Sequence, residues 1–412
     1  MTRTPTHPSR TVIEPFVRRV RIRNYKSIGY CDIELGALTI LVGQNGSGKS
    51  NFLDALRFVV DGLKTTLDHA IKSRGGIDAV RRRSTGHPRN FSIDLELELP
   101  EYRSAYYGFE IAAQKNSGFL VKEEYLQIFE PDGRKTEEYK VNSGVLVSHD
   151  NATMPAASAD RLYLVSASGL PRYRKVYDSL LAMGFYNLNP EALKALQSPD
   201  AGEILQRDGS NIASVIHRIA NEEPKLKKRF QSYLSSIVPG ITDVNRVSVG
   251  PKETLEFRQN VAGAALPWKF YADSMSDGTL RVLGTLVAVM QVTEGSKSAS
   301  LVGIEEPETA LHPAASGALM DALREATDHT QILVTTHSPD LLDQVHLETD
   351  KVLVVQSREG VTQIAPMNQA SQDAIRDHLF TPGQLLSMDQ LGPDALDIQR
   401  QSQSTFSFEK AQ

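Results

Sequence analysis

The sequence predicts an α/β protein with a mixed central sheet, an antiparallel β meander and a helical insert. Short apolar runs typical of buried strands precede helical patterns, as at 38–42 before 51–60. Apolar and polar residues alternate cleanly over 91–99, and 106–113 and 119–129 continue this pattern, which is typical of antiparallel strands with one wet face. Residues 173–239 instead show several helical patterns, begun by turn and capping residues.

The stretch 43–50, Gly-Gln-Asn-Gly-Ser-Gly-Lys-Ser, matches the phosphate-loop pattern G-x-x-x-x-G-K-[ST] at every fixed position. A predicted strand precedes it and a predicted helix follows, so a chance match in a glycine-rich turn is the weaker interpretation. Glycines let backbone N–H groups approach phosphate oxygens, and the helix dipole adds to the attraction. We expect Lys49 to reach the β- and γ-phosphates and Ser50 to bind Mg²⁺, with these residues around the nucleotide: Asn45, Gly46, Ser47, Gly48 and Asn51.

Composition excludes several classes of protein. The 412 residues carry a net charge of −5, so any nucleic-acid contact must use a local basic patch. The single cysteine, Cys31, rules out a disulfide framework within one chain and suits a reducing cytoplasm. No apolar run approaches a membrane span, and the N-terminus lacks the apolar segment of a signal peptide. We therefore expect a cytoplasmic protein without a membrane partner.

Changes in pattern along the chain predict five segments. Residues 1–15 form a disordered leader, 16–142 a first lobe with the phosphate loop and the meander, and 143–239 a helical lid or arm. Residues 240–391 form a second lobe, and 392–412 a flexible tail. No long heptad run occurs, so no extended coiled coil is expected.

Two glutamates and a histidine follow buried strands in the second lobe. Glu305 and Glu306 follow an apolar run at 301–304, and His337 follows another at 331–336. Ligands of α/β sheets bind at the carboxyl ends of such strands. Glu305 could hold the metal, Glu306 polarise an attacking water, and His337 contact the γ-phosphate. The non-functional alternatives are a solvated acidic turn for the two glutamates and an ordinary loop position for His337.

A second anion site is predicted before the helix that begins near residue 280. Ser276 and Gly278 combine a hydroxyl, a glycine backbone and a helix N-terminus, although alone they would form only an N-cap. Residues 309–313, which follow the glutamates, would alone be an ordinary loop.

Basic residues cluster at two places near the N-terminus. The predicted strand 16–23 carries a basic face, and Arg81, Arg82 and Arg83 form the densest basic run. Either could contact DNA phosphates, although such runs are more often solvated. Lys26 and Ser27 lie in a turn that either approaches the nucleotide or is solvated.

Taken in order, these motifs resemble the heads of ABC-type ATPases, in particular the OLD-like and RecF/SMC-like branch, from about residue 18 to 391. The resemblance implies that 43–50 is Walker A, Ser276–Thr279 the signature motif, Glu305-Glu306 Walker B with the catalytic glutamate, 310–312 the D-loop, and His337 the switch histidine. No Toprim domain follows, which is similar to stand-alone bacterial predicted ATPases. A Q-loop is not evident, Gln197 and Gln206 being weak candidates.

The resemblance further implies a homodimer with ATP and Mg²⁺ at its interface. ATP hydrolysis would then switch a surface for double-stranded DNA or an effector protein, in DNA repair or phage defence. Three other classes remain open: a nucleotide-gated scaffold without turnover, a transporter-type ATPase and a small-molecule kinase.

Overall fold

The computed structural model describes residues 14–84, 88–99, 102–115, 118–149, 153–291 and 299–403. The chain divides into two compact units. Of the described residues, the larger unit comprises those within 16–185, 299–306 and 333–403. The smaller unit comprises those within 14–15, 186–291 and 307–332. Each is considered by itself below.

The described residues contain sixteen strands, which alternate with helices along much of the chain as the sequence predicts. The strands are β1 (Val17–Tyr25), β2 (Ile28–Glu34), β3 (Leu38–Val42), β4 (Asn90–Leu99), β5 (Tyr102–Ala113), β6 (Phe119–Phe129), β7 (Lys135–Asn142), β8 (Val145–His149), β9 (Gly184–Tyr186), β10 (Ile241–Val249), β11 (Lys252–Gln259), β12 (Trp268–Tyr271), β13 (Leu301–Glu305), β14 (Gln331–Thr336), β15 (Lys351–Arg358) and β16 (Val361–Pro366).

Fourteen α-helices occur in the same part of the chain, the longest of them α1 with sixteen residues. They are α1 (Lys49–Lys64), α2 (Leu67–Lys72), α3 (Ile77–Val80), α4 (Tyr163–Ala167), α5 (Pro171–Leu181), α6 (Pro190–Lys194), α7 (Ile212–Glu222), α8 (Pro224–Ile237), α9 (Asp277–Met290), α10 (Ser316–Ala326), α11 (Pro339–Leu342), α12 (Gln369–Arg376), α13 (Pro382–Ser387) and α14 (Ala395–Gln403). No helix of the described ranges is both long and apolar enough to cross a bilayer.

A mixed sheet of thirteen described strands organises the larger unit, in the order β8-β7-β6-β5-β4-β1-β2-β16-β15-β3-β14-β13-β9. The five strands from β4 to β8 form the antiparallel meander. β15 pairs parallel with β3 and antiparallel with β16, so the sheet is mixed. The predicted α/β class, mixed sheet and meander are therefore confirmed.

The core of the larger unit explains how α1 is held on the sheet. Every second residue of β4 is buried, as its alternating sequence predicts. On α1, Phe52, Leu56 and Phe58 are among the apolar residues that are fully buried. The Phe58 ring packs edge-on against Tyr25 and Phe91, at centroid distances of 5.9 and 5.4 Å. The helix that follows the phosphate loop is thus anchored by aromatic packing.

The smaller unit combines helices with a three-stranded antiparallel sheet of order β10-β11-β12. Every apolar side chain of α9 is buried. Helix α8 buries Phe230, Leu234 and Ile237 on one face. Its Tyr233 hydroxyl donates to a carboxylate oxygen of Glu325 on α10 at 2.7 Å.

Two expectations about segments differ from the structure, and a third falls largely outside the described residues. The predicted insert 143–239 contains two strands, β8 and β9, and its residues fall in both units. The flexible tail predicted from 392 is wrong for 395–403, which form α14. There the Gln401 amide donates to the carbonyl of Ile364 at 2.9 Å and accepts from the backbone of Asp32. The leader falls outside the described residues as far as residue 13.

Glu124 is a fully buried carboxyl group within the meander of the larger unit. It accepts hydrogen bonds from the hydroxyls of Tyr107 and Tyr139 and from the backbone N–H groups of Tyr163 and Leu164. Burial raises the pKa of Glu124 to about 7, although these hydrogen bonds favour the charged form and oppose the shift. One side chain thereby connects β5, β6, β7 and the start of α4.

We predict that Glu124 makes stability depend on pH between about 4.5 and 7. The folded state holds this proton more tightly than the unfolded chain, so the stabilisation is complete below pH 4.5 and is lost as pH rises through 7. Glu124→Gln stays neutral at every pH and should flatten this dependence. Between pH 4.5 and 7, the free energy of unfolding should fall by on the order of a few kcal/mol less in the variant than in the wild type. Urea unfolding at several pH values measures it. Glu34→Gln, on an exposed carboxylate, is the control, and a slope unchanged by Glu124→Gln would contradict the assignment.

Candidate functional site

The phosphate-loop residues connect β3 to α1, as predicted. β3 is buried along its whole length, and α1 begins at Lys49. Gly46 and Gly48 have φ angles of 78° and 107°, which side-chain-bearing residues rarely adopt. A Cβ on Gly43 would lie 2.1 Å from the carbonyl oxygen of Val355. Conformation and close approach thus explain the glycines of this motif.

The loop offers donors to an anion. Lys49 is 4% exposed, and its ammonium donates to the carbonyl oxygens of Gly43 and Gln44 at 2.7 and 3.0 Å. The Ser47 hydroxyl is buried and has no hydrogen-bond partner within the described residues. Asn45, Gly46 and Ser50 are exposed, so their polar groups are accessible. An orphaned buried hydroxyl beside a lysine and a helix N-terminus fits a bound polyphosphate, and the accessible Ser50 hydroxyl suits Mg²⁺.

Hydrogen bonds bring three strand ends of the larger unit to one edge. The Gly43 N–H, just after β3, donates to the carbonyl of Thr336 at the end of β14, at 3.3 Å. The Glu306 N–H, just after β13, donates to the carbonyl of Thr335 at 3.0 Å. Phosphate loop, Glu306 and the start of the His337 loop therefore meet where the three strands end, as α/β ligand sites do.

Glu306 and His337 form a pair at this edge. The His337 Nδ1 atom lies 3.1 Å from a carboxylate oxygen of Glu306, and both side chains are partly exposed. Glu306 has a φ angle of 45°, a left-handed conformation that a glutamate adopts at a cost of about 1 kcal/mol. Glu305 precedes it as the last residue of β13. The strained backbone turns Glu306 away from the regular strand direction, and the contact with His337 fixes its carboxylate.

Lys26 has a different partner from the predicted nucleotide. Its ammonium lies 2.6 Å from the carboxylate of Asp54 on α1, which also binds Arg57, Arg74 and the Tyr25 hydroxyl. Burial would raise the pKa of Asp54, but the surrounding cations outweigh it and lower the pKa to about 2. Lys26 therefore helps to fix α1, and its contact with the nucleotide stays a prediction.

Asn51 likewise faces the protein. Its amide donates to the Ser27 hydroxyl at 2.6 Å, one turn into α1. Ser27 is thus placed beside the base of the phosphate loop, although Lys26 is engaged elsewhere.

The predicted signature residues lie in the smaller unit. Ser276 is the N-cap of α9 and accepts a hydrogen bond from the Thr279 N–H at 3.2 Å; it is exposed. A Cβ on Gly278 would lie 2.2 Å from the carbonyl oxygen of Ala310, so the predicted D-loop packs against the start of α9. Ala310 itself has a φ angle of 65°. Two motifs that are ordinary alone therefore form one local structure.

The two glutamines proposed for a Q-loop both make hydrogen bonds within their own unit. The Gln197 amide donates to the carbonyl oxygens of Ala192 and Gly209, and it is buried. Gln206 accepts from the Ser210 hydroxyl at 2.9 Å. Both side chains stabilise loops of the smaller unit.

The basic clusters are largely paired with acidic groups. Arg19 and Arg21 both donate to the buried carboxylate of Asp32, which leaves less positive charge on β1 than the sequence suggests. Arg81 binds the Asp78 carboxylate, and Arg83 binds the Asp78 backbone. These contacts favour the solvated or structural interpretation of both runs over DNA binding.

Sequence reasoning missed Asp54, Arg74 and Thr362 as residues that support the loop. Asp54 lies on the buried side of α1, and only its acidic character at a position facing the core is a signal of an unusual role. Thr362 lies 314 residues beyond the loop glycine Gly48 in the chain. A Cβ on Gly48 would nevertheless lie only 2.0 Å from the Thr362 hydroxyl oxygen. No local pattern marks either residue.

We predict that Gly48→Ala destabilises the larger unit more than Gly46→Ala does. Both substitutions place a side chain at positive φ, at a cost of about 1 kcal/mol. At Gly46 the new Cβ meets nothing within 4 Å, whereas at Gly48 it meets the Thr362 hydroxyl at 2.0 Å. We expect a further loss of about 1–3 kcal/mol in the free energy of unfolding for Gly48→Ala, measured by urea unfolding. Equal losses would contradict the contact.

Comparison with known proteins agrees with this fold. No match was found among curated proteins. Among solved structures, the SmcHead bound to the C-winged helix domain of ScpA has a TM-score of 0.51 at 16% identity, covering 87% of this chain and 100% of that chain. An SMC head domain from Thermotoga maritima gives 0.44 at 16% identity, with 85% and 98% covered. An Smc head domain with an extended coiled coil, derived from Pyrococcus furiosus, gives 0.49 at 14%, with 89% and 99% covered.

A family model matches a much longer stretch than the motifs alone. It covers residues 38–343, from the strand before the phosphate loop to the segment after His337, which is more than half of the 412 residues. The chain thus belongs to the family described as "AAA domain, putative AbiEii toxin, Type IV TA system", and it has the fold of an ABC-type ATPase head.

Proposed function

We propose that this protein binds and hydrolyses ATP, and that two copies dimerise around the nucleotide. The opening and closing of this dimer would act on a partner, DNA or protein, in DNA repair or phage defence. The observation that carries it is the hydrogen-bonded meeting of the phosphate loop with Glu306 at the ends of β3, β14 and β13. Family membership supports nucleotide binding.

Within one copy, the larger unit would supply the phosphate site. Lys49 would exchange its carbonyl partners for the β- and γ-phosphates, and backbone N–H groups from Asn45 to Ser50 would bind the remaining oxygens. Ser50 and Glu305 would hold Mg²⁺, which neutralises charge on the phosphates. These groups lower the energy of a transition state in which negative charge spreads over the transferred phosphoryl group.

Glu306 would act on the attacking water. Its carboxylate accepts a proton or orients the water by hydrogen bonding, and its contact with His337 holds it in place. His337 would in turn sense the γ-phosphate. A water-positioning role needs a carboxylate within hydrogen-bond reach of solvent, and Glu306 is partly exposed.

The second copy would supply Ser276 and Gly278. Ser276 is exposed at the N-terminus of α9, where its hydroxyl and the N–H groups of the first helical turn could bind an anion, but no lysine accompanies them. A phosphate site with its own lysine and a second donor set without one complement each other across a twofold dimer. Hydrolysis would remove the shared ligand and reopen the dimer.

The charge on β1 bears on the kind of partner. Asp32 offsets part of the positive charge of Arg19 and Arg21, which weakens the case for a DNA contact through β1. Analogy favours a protein partner, because the SmcHead of similar fold was solved with a domain of ScpA. ATP turnover measured with and without double-stranded DNA at two salt concentrations separates these cases, because phosphate contacts weaken with salt.

A nucleotide-gated scaffold is the main alternative, and it would bind ATP without turning it over. The Glu306–His337 pair favours the hydrolytic proposal, because binding alone needs neither residue. A small-molecule kinase would show ATP use that depends on an acceptor, and a transporter-type ATPase would need a membrane partner.

We predict that Glu306→Gln abolishes at least about 99% of ATP turnover while retaining ATP-dependent dimerisation. Glutamine keeps the side-chain size but loses the base, and loss of general-base assistance costs about 10²–10⁴-fold. Turnover is measured by phosphate release and dimerisation by mass in solution with ATP and Mg²⁺.

Lys49→Ala should lose both ATP binding and the dimer, because the phosphate charge is no longer neutralised. Its matched control is Lys64→Ala on the same helix, where the side chain is exposed and unaffected activity is expected. Wild-type turnover in Glu306→Gln, or an ATP-bound protein that stays monomeric, would contradict the proposed mechanism.

A further inference from the structure

The hydroxyl of Thr362 lies directly behind the phosphate loop. Thr362 is the second residue of β16 and is 1% exposed. Its backbone is fixed, because its N–H donates to the carbonyl of Ser27 at 2.9 Å and β16 pairs parallel with β2 at Ile28. The side chain therefore approaches the loop from a rigid strand.

Three hydrogen bonds run in sequence from α1 to the loop through Thr362. The Asn51 amide lies 2.6 Å from the Ser27 hydroxyl, the Ser27 and Thr362 hydroxyls are 2.7 Å apart, and the Thr362 hydroxyl lies 2.9 Å from the Ser47 carbonyl oxygen. A carbonyl only accepts, so Thr362 must give its single hydrogen to Ser47. Ser27 must then donate to Thr362, and Asn51 donates to Ser27. The direction of the whole series is fixed.

This series determines which way the peptide between Ser47 and Gly48 faces. In a planar trans peptide the C=O and N–H groups point in opposite directions. Because Thr362 holds the Ser47 carbonyl on the strand side, the Gly48 N–H is turned to the other side, as phosphate binding by a glycine loop requires. A reversed peptide would present a carbonyl oxygen to the phosphate and repel it.

Glycine at position 48 is part of the same arrangement. Its φ angle of 107° allows the peptide orientation, and its lack of a side chain allows the Thr362 hydroxyl to come close, since a Cβ would lie 2.0 Å from that oxygen. The loop residue thus lacks a side chain at the point where the strand residue places its hydroxyl donor.

We propose that Thr362 is a positioning residue for nucleotide binding, and that Ser27 and Asn51 orient its hydroxyl hydrogen toward the Ser47 carbonyl. The role rests on the proposed function, because it is the phosphate of a bound nucleotide that the oriented Gly48 N–H would contact. β16, a strand with no recognised nucleotide motif, thereby contributes to nucleotide binding. The positioning role also explains why Asn51 faces Ser27.

The test compares two substitutions of Thr362 in the full chain. Thr362→Val removes the hydroxyl at nearly constant volume, and Thr362→Ser keeps it. Calorimetric titration with Mg²⁺ and ADP should show binding about three- to tenfold weaker for Thr362→Val, the usual range for one hydrogen bond. Thr362→Ser should restore affinity to within about twofold of wild type.

The control is Thr285→Val on α9. The Thr285 hydroxyl is fully buried but has no hydrogen-bond partner in the described part of the chain, so its removal is the same chemical change without a bond to lose. We expect unchanged ADP affinity. Thermal unfolding without nucleotide is recorded for every variant, so that a stability change is separated from an affinity change.

The outcomes are distinct for the two levels of inference. Wild-type affinity in Thr362→Val, or equal losses in Thr362→Val and Thr362→Ser, would overturn the positioning role and leave the proposed function standing. A wild-type protein that binds no nucleotide would overturn both. Should Thr362→Val fail to fold, Thr362→Ala removes the same hydroxyl without placing a methyl group against the Ser47 carbonyl, and the same loss is expected.

Discussion

Two backbone hydrogen bonds at the ends of neighbouring strands are the constraint on which the candidate site depends. The Gly43 N–H and the Glu306 N–H donate to consecutive carbonyl groups of β14, those of Thr336 and Thr335. One bond ties the start of the phosphate loop to β14, and the other ties the acidic turn to it. Because His337 follows immediately, all three groups are located by the backbone of one strand. The functional side chains at this edge are therefore held in place by the rigid sheet.

The phosphate loop is supported from two further sides of the larger unit. Asp54 gathers Lys26, Arg57 and Arg74 around one buried carboxylate, and so joins the middle of α1 to the first hairpin and to the segment after α2. Such a buried charge is costly unless its partners are all in place, which ties these segments together. The Ser27 and Thr362 hydroxyls hold the other end, where the loop enters the helix. The loop thus needs little rearrangement of its own to receive a phosphate.

Local patterns predicted the parts of this fold that depend on neighbouring residues. The phosphate loop, the alternating strand β4 and the acidic turn after β13 are all written in short stretches, and the structure has them where expected. What the sequence does not show depends on distant contacts. Lys26 pairs with a residue of α1, and α14 is ordered through Gln401, whose partners lie on β2 and β16. Polar runs without periodicity gave no indication of either.

The same distinction applies to the site. Glu306 and His337 were chosen because each follows an apolar strand, and the structure places them in contact. Thr362 carries no such signal, because its relation to the loop arises only when β16 is aligned with β2. The basic face of β1 is visible in the sequence, but its ion pairs with Asp32 are not, since the pairing of β1 with β2 decides them.

The central claim is that each copy contributes a different half of one ATP site. Mixing two inactive variants, Lys49→Ala and Ser276→Ala, tests it most directly. In a mixed dimer, the intact loop of one chain faces the intact Ser276 of the other, so one of the two sites is complete. Since only mixed dimers hold a complete site, and each of them holds one, the account predicts that the mixture turns over ATP well above the average of the separate variants. Turnover no higher than the average of the separate variants would contradict it.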